Sequence, residues 1–256
     1  MKTSFLMGPP PRAAAAAHRQ WERLVELVQC AGDVQIERAA VESDQHGAFP
    51  GRSALVAGKL SVFASVPGRK SAAHRRALAR LGFAAVSLDG ARFGGAADAV
   101  FDRRRPLLFV GYGRETEHAA ALQLGELLGI RALPLELADG RLPHLDQVLC
   151  PLGNGHVLAH LPAFTPATQR ILRRAVEPDA LIEISTDDAR AYACSPIEFD
   201  GTLVLHSASR RLRDRLQAAG YRLFATDLSE FHTLGGSARR MALRLHDGPP
   251  SNSFAA

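Results

Sequence analysis

Three segments carry residue types suited to chemistry. Near the C-terminus, "DLSEFHTLGGSARRMALRL" (Asp227 to Leu245) places Arg239 and Arg240 just after the turn Gly235-Gly236. A Gly-rich turn ahead of a strand is a common way to present one reactive side chain. A guanidinium stays protonated and offers no lone pair, so neither arginine can act as a nucleophile. In the middle of the chain, "LPLELADGRLPHLDQVLCPL" holds His144 and Asp146. On a strand these two would share a face, and His144 could then serve as a general base beside Asp146. The third segment, "FGGAADAVF", holds Asp98.

The remaining candidates are weaker. Cys30, Cys150 and Cys194 are the only cysteines, and none forms a C-x-x-C pair. That usage fits a reduced, cytoplasmic protein and argues against a disulfide framework or a zinc site. Cys150 and Cys194 lie in apolar strand-like runs and read as small buried hydrophobes, and Cys30 reads as packing near a helix end. Gly111-Tyr112-Gly113 and Gly153-Asn154-Gly155 read as turns, because neither has the Lys-Ser/Thr of a phosphate loop or a strand–GxGxxG–helix setting. No metal and no cofactor is expected. Trp21 reads as a core residue of its helix.

These side chains must be positioned by a 256-residue chain that is 46% hydrophobic, enough for a substantial core. No leader-like or ~18-residue apolar run is visible, so no membrane span is expected. The net charge of +5 is carried almost entirely by arginine. The basic runs "RKSAAHRRALAR", "RRR" and "SRRLRDR" are most simply solvated faces, which does not favour a nucleic-acid role.

Periodicity reveals a repeated unit of strand, turn, strand, amphipathic helix and strand. One copy is "AFPGRSALVAGKLSVFASVPGRKSAAHRRALARLGFAAVSL". Three more follow, with turns at Arg103-Arg104-Arg105, Gly153-Asn154-Gly155 and Asp200-Gly201. Equivalent points at Phe49, Phe93, His144 and Tyr192 are separated by 44, 51 and 48 residues. A damaged fifth copy can be assembled from "FLMGPP", the helix "HRQWERLVELVQCAG" and, from the far end, "RRMALRL". Five ββαβ units with the terminal strands closing a ring would bury each unit's apolar face and remove open sheet edges.

These words, in this order, resemble the pentein or guanidine-modifying superfamily, which includes dimethylarginine dimethylaminohydrolases, arginine deiminases and amidinotransferases. "FGGAADAVF" resembles its F-E-G-x-G-D segment and "PHLD" its H-L-D region. "AYACSPIEFDGTLVL" resembles its A-C-N segment, and "LGGSARRMALRL" its G-G-G-x-x-C strand. The resemblance implies an α/β-propeller of pentein type: one domain over residues 1–247, with 248–256 as a flexible tail. It also implies a cysteine nucleophile that attacks a guanidinium carbon, a histidine that moves protons and carboxylates that grip the substrate.

Carried over residue by residue, the resemblance places His144 and Asp146 at the catalytic histidine and its acidic neighbour. It places Asp98, Ser195 and Arg52 (or Ser53) at substrate-binding positions. Gly94 stands where a glutamate is expected, and Arg240 where the nucleophilic cysteine is expected. Two arginines at the mouth would repel a guanidinium: like charges ~5 Å apart cost roughly 3 kcal/mol at an effective dielectric near 20. The expected function is therefore a divergent dimethylargininase- or amidinotransferase-like protein without guanidine-modifying activity, acting as a binding protein or pseudoenzyme. Its small-molecule ligand would be anionic rather than guanidinium, and a protein partner is open. The alternatives are an active hydrolase or transferase using His144 and Asp146, with an anion clamped by Arg240 or Arg52, or a non-enzymatic ring that binds RNA or a larger assembly.

Overall fold

The structure, a computed structural model, describes residues 2–12, 14–40, 47–68 and 71–248. From the N-terminus the chain forms β1 (Thr3–Met7), α1 (Ala15–Ala31) and β2 (Val34–Arg38). A first repeat follows as β3 (Ala54–Ala57), β4 (Leu60–Phe63), α2 (Ala72–Arg80) and β5 (Ala84–Ser87). The second is β6 (Ala99–Phe101), β7 (Leu107–Tyr112), α3 (His118–Leu128) and β8 (Arg131–Glu136). A helical turn, α4 (Leu145–Val148), leads into β9 (Leu149–Pro151), β10 (Val157–Ala159), α5 (Pro166–Ala175) and β11 (Leu181–Glu183). After α6 (Thr186–Arg190) come β12 (Ile197–Phe199), β13 (Thr202–Leu205), α7 (Arg210–Ala218) and β14 (Arg222–Ala225). The short helices α8 (Ser229–Thr233) and α9 (Ala238–Met241) precede the last strand, β15 (Ala242–Leu245).

Each unit makes one three-stranded sheet, and each middle strand pairs antiparallel with the strand before it and parallel with the strand after the helix. Turn chemistry fixes the antiparallel half. Gly58 takes φ +58 between β3 and β4, and Asp200 and Gly201 take φ +46 and +69 between β12 and β13, the pair of positive φ values that tight hairpins require. The helix supplies the long right-handed crossover that a parallel pair needs. Its apolar stripe packs on the sheet while its arginines face water. In α7, for example, Leu212 and Leu216 are buried and Arg210, Arg211, Arg213 and Arg215 are exposed.

The fifth unit is complete rather than damaged. Strand β1 pairs antiparallel with β15 (Leu6 opposite Leu243) and parallel with β2 (Phe5 opposite Ile36). Its third strand is "VQIER", whose two apolar residues alternate with polar ones and so pack on one side only. That short signal, just past the helix end at Gly32, is easily read as loop. Helix α1 also begins at Ala15 and so takes in part of the alanine run. Because the two chain ends share one sheet, all five units are equivalent ββαβ modules. Residues from β1, β3, β9, β12 and β15, with Arg103 from the β6–β7 turn, line a common cavity.

Apolar side chains form four buried clusters between neighbouring units, the largest containing Cys150 and Cys194. Trp21 is buried on α1 and donates its indole N–H to the Gly8 carbonyl at 2.7 Å. Cys30, by contrast, is exposed: it lies on the face of α1 opposite the buried row Trp21, Leu24, Val25 and Val28, so its packing role is not observed. Among the described residues no helix is long and apolar enough to cross a membrane. Of the C-terminal tail, residues 249–256 lie outside the described residues.

Candidate active site

The segment after β14 builds one wall of the site. Gly235 takes φ +77, a conformation that L side chains rarely adopt. Gly236 is pressed against Phe49, so that an added Cβ would sit 2.3 Å from the ring. The chain then makes a helical turn closed by Arg240 N–H donating to the Ser237 carbonyl. Arg240 therefore sits in α9, at the head of the strand and not within it, and only 2% of it is exposed.

All three of its guanidinium nitrogens donate. Nε donates to Asp146 Oδ2 at 2.6 Å and Nη2 to Asp146 Oδ1 at 2.5 Å, while Nη1 donates to the Gly235 carbonyl. The Tyr192 ring lies 5.8 Å from the guanidinium carbon. This is the bidentate fork by which a carboxylate recognises a guanidinium. Burial works against the charge on Arg240, but the Asp146 carboxylate more than offsets it and raises the pKa above its ordinary value. Asp146 is 1% exposed.

His144 and Asp146 do not lie on a strand. His144 is the extended residue ahead of α4, its N–H satisfied by Gln147 Oε1 at 3.3 Å, and Asp146 is in the first turn. Helical geometry sends side chains two positions apart in different directions. Asp146 reaches Arg240, and His144 reaches Asp98. The imidazole Nδ1 lies 3.0 Å from Asp98 Oδ1, and Nε2 lies 3.6 Å from Glu115 Oε2.

Asp98 is the most heavily bonded carboxylate of the site. Besides His144, it accepts from the Leu145 N–H at 3.2 Å and from the Thr116 hydroxyl at 2.6 Å. Burial alone would raise its pKa, yet the charge of His144 and these hydrogen bonds hold it below the ordinary value. Gly94 makes this possible. A Cβ there would lie 2.2 Å from Asp98 Oδ2, and the Gly94 N–H donates to Thr116 Oγ1 at 2.9 Å.

Arg52 faces Glu115 across 3.5 Å, so its guanidinium is turned to a carboxylate of the protein itself. Ser195 is not brought to the site surface. It is fully buried, its hydroxyl has no hydrogen-bond partner among the described residues, and its carbonyl accepts from Arg239 N–H at 3.0 Å. Glu115 and Thr116 are neighbours of His144 and Asp98 that the sequence pattern did not single out. The available signal was their place in "GYGRET", directly after β7, whose partner β6 starts at the residue after Asp98.

Asp98, Glu115 and His144 offer ligand atoms within 4.8 Å of one another. The Nδ1 face of His144 is already bound to Asp98 and a guanidinium stands beside Glu115, so the trio is better suited to passing a proton than to holding a cation. Neither buried thiol has the character of a reactive thiolate. Burial pushes Cys150 up to about 11 and Cys194 well above its ordinary value, which keeps both protonated. Among the described residues, no hydrogen bond joins either to His144.

Five ββαβ modules that share a sheet between the chain ends, with a His–Asp pair and a guanidinium–carboxylate pair at the module junctions, define a pentein α/β-propeller. No family model matches the chain. A bifunctional arginine dihydrolase/ornithine cyclodeaminase of a Nostoc strain, AgrE, is 35% identical over 153 residues, which is 60% of this chain and 22% of that protein. The dimethylarginine dimethylaminohydrolase of Mycobacterium tuberculosis is 32% identical over 139 residues, 54% of this chain and 45% of that protein. Among solved structures, the N-terminal domain of ArgZ, a cyanobacterial arginine dihydrolase crystallised as a cysteine-to-serine mutant with substrate, superposes with a TM-score of 0.88 at 25% identity. That match covers 95% of this chain and 98% of the other. The chain thus spans about half or less of these curated relatives and nearly all of the crystallised domain. Its fold and its sequence relatives are those of the pentein, or guanidine-modifying, superfamily.

Proposed function

We propose that this chain is a pentein without cysteine-dependent guanidine chemistry that acts as a binding protein. The observation that carries the reading is the fork between Arg240 and Asp146 at 2.6 and 2.5 Å, both side chains buried. The residue at the expected nucleophile position is itself a guanidinium, and it lies against a carboxylate that could otherwise grip a substrate's N–H groups. A free arginine would have to displace a covalently tethered competitor whose local concentration is far higher. Asp146 and Glu115 are each turned to a guanidinium of the protein itself, so a cationic ligand finds these acceptors already taken.

The test is direct. Calorimetry with L-arginine and with dimethylarginine should give no binding heat, and neither should release ammonia or dimethylamine over long incubation. Micromolar binding or turnover would overturn the reading.

A second reading is supported by the hydrogen-bonded series Thr116–Asp98–His144 with Glu115 beyond it, and by the enzymatic names of the relatives. In this reading His144 is the base of an altered reaction, with Asp98 as its partner in place of Asp146. Turnover of any substrate that disappears in His144→Ala would favour it.

A further inference from the structure

The cavity where the five units converge is lined by an excess of half-buried positive charge. Arg103, Arg239 and Arg244 line it together with Glu198, Asp247 and Cys150. Arg103 pairs with Asp247 at 2.5 Å and Arg244 with Glu198 at 3.2 Å. These two pairs are neutral. Arg239 is left over: among the described residues its Nη2 reaches the carbonyls of Ala96 and Ala99, at 3.4 and 3.3 Å, and no carboxylate. Among the lining residues, three guanidiniums against two carboxylates leave one charge without a carboxylate partner, and partial removal from water makes an anion beside it favourable.

A second observation points the same way. The Nε–H of Arg103 is buried and has no hydrogen-bond partner among the described residues, and the nearest carboxylate oxygen, on Glu198, is 3.8 Å away. An unpaired donor of this kind costs ~1–3 kcal/mol unless something accepts from it. Arg244 feels the same excess: burial first, and then the charge of Arg103, bring its pKa below the ordinary value.

The geometry points to a small monovalent anion of chloride size held in this central cavity between Arg239 and the Arg103–Arg244 pair. Size and charge both select it. The cavity is about 40 Å³, room for a single small ion or a water or two. One negative charge neutralises the cluster, whereas a divalent anion would overshoot. The site is separate from the Asp98–His144 and Asp146–Arg240 pairs, and its occupancy would stabilise the junction of all five units.

Crystals grown in sodium bromide test this directly. An anomalous peak in contact with Arg103 Nε and the Arg239 guanidinium is expected. In solution, replacing gluconate by chloride at fixed ionic strength should raise Tm, as linkage requires of a ligand that binds only the folded state. Arg239→Gln leaves both ion pairs intact and should abolish the rise, so the test does not depend on Arg103→Gln folding. A cavity that holds only water, or identical Tm values in the two salts, would overturn the inference.

Discussion

Arg240 and Asp146 sit 94 positions apart in sequence and face each other through two parallel N–H···O bonds. Such a pair gains little for stability in net terms, because both charges lose their water. Breaking it is a different matter, since the survivor is a buried, unpaired charge. Arg240→Met should therefore destabilise the fold by about 3–5 kcal/mol, and Asp146→Leu by a similar amount. The double variant should recover most of the loss, by a coupling that a double-mutant cycle in urea would read. Additive losses would mean that the pair does not act as a unit.

The same pair makes a prediction for ligand binding. Arg240→Gly removes the tethered guanidinium and leaves Asp146 in a cavity of matching shape. Added guanidinium or methylguanidine should bind that variant and raise its Tm, while the unmodified protein should show no response beyond denaturation. Equal behaviour of the two proteins would show that Asp146 does not recognise a free guanidinium.

Gly94 is required by its neighbour and not by its own backbone, which has φ −88, a value open to any residue. In Gly94→Ala the new Cβ would lie 2.2 Å from Asp98 Oδ2. Asp98 cannot withdraw without losing His144, Leu145 or Thr116. The substitution should cost roughly 1–3 kcal/mol, in the range of overpacked cores. A stability change within error of zero would show that the Asp98 cluster has room to shift.

How far all this was legible in the sequence depended on the range of the signal. The four internal units could be read because each carries its turn and its 3.6-residue stripe within a short span. Strand β2 escaped notice because "VQIER" has only two apolar residues and its partner is β1, across a whole helix. The type of residue at position 240 already excluded a thiolate. Which carboxylate it meets was not readable, since only the turn of α4 sends Asp146 toward Arg240 and His144 toward Asp98. The expectation of a shared face failed because a helical turn replaces the strand there. Glu115 enters only through tertiary placement, since no local pattern marks it.

The last prediction concerns pH. His232 packs at a tilt against Tyr192, with ring centroids 4.5 Å apart, and edge-on against His206 at 4.3 Å, and its Nε2 lies 3.2 Å from the Ser237 hydroxyl. Burial first, and then the nearby His206, lower its pKa from 6.5 to about 4. Between these values the unfolded chain takes up a proton that the folded chain refuses, so stability must fall as pH falls from about 6.5 to about 4 and level off below that for this group. Because His232 is only partly shielded from solvent, the effect should be modest. It should nonetheless be local, for Ser237 opens the turn that holds Arg240. Tm measured across this range should decline less steeply in His232→Gln than in the unmodified protein, and parallel curves would assign the acid sensitivity to other groups.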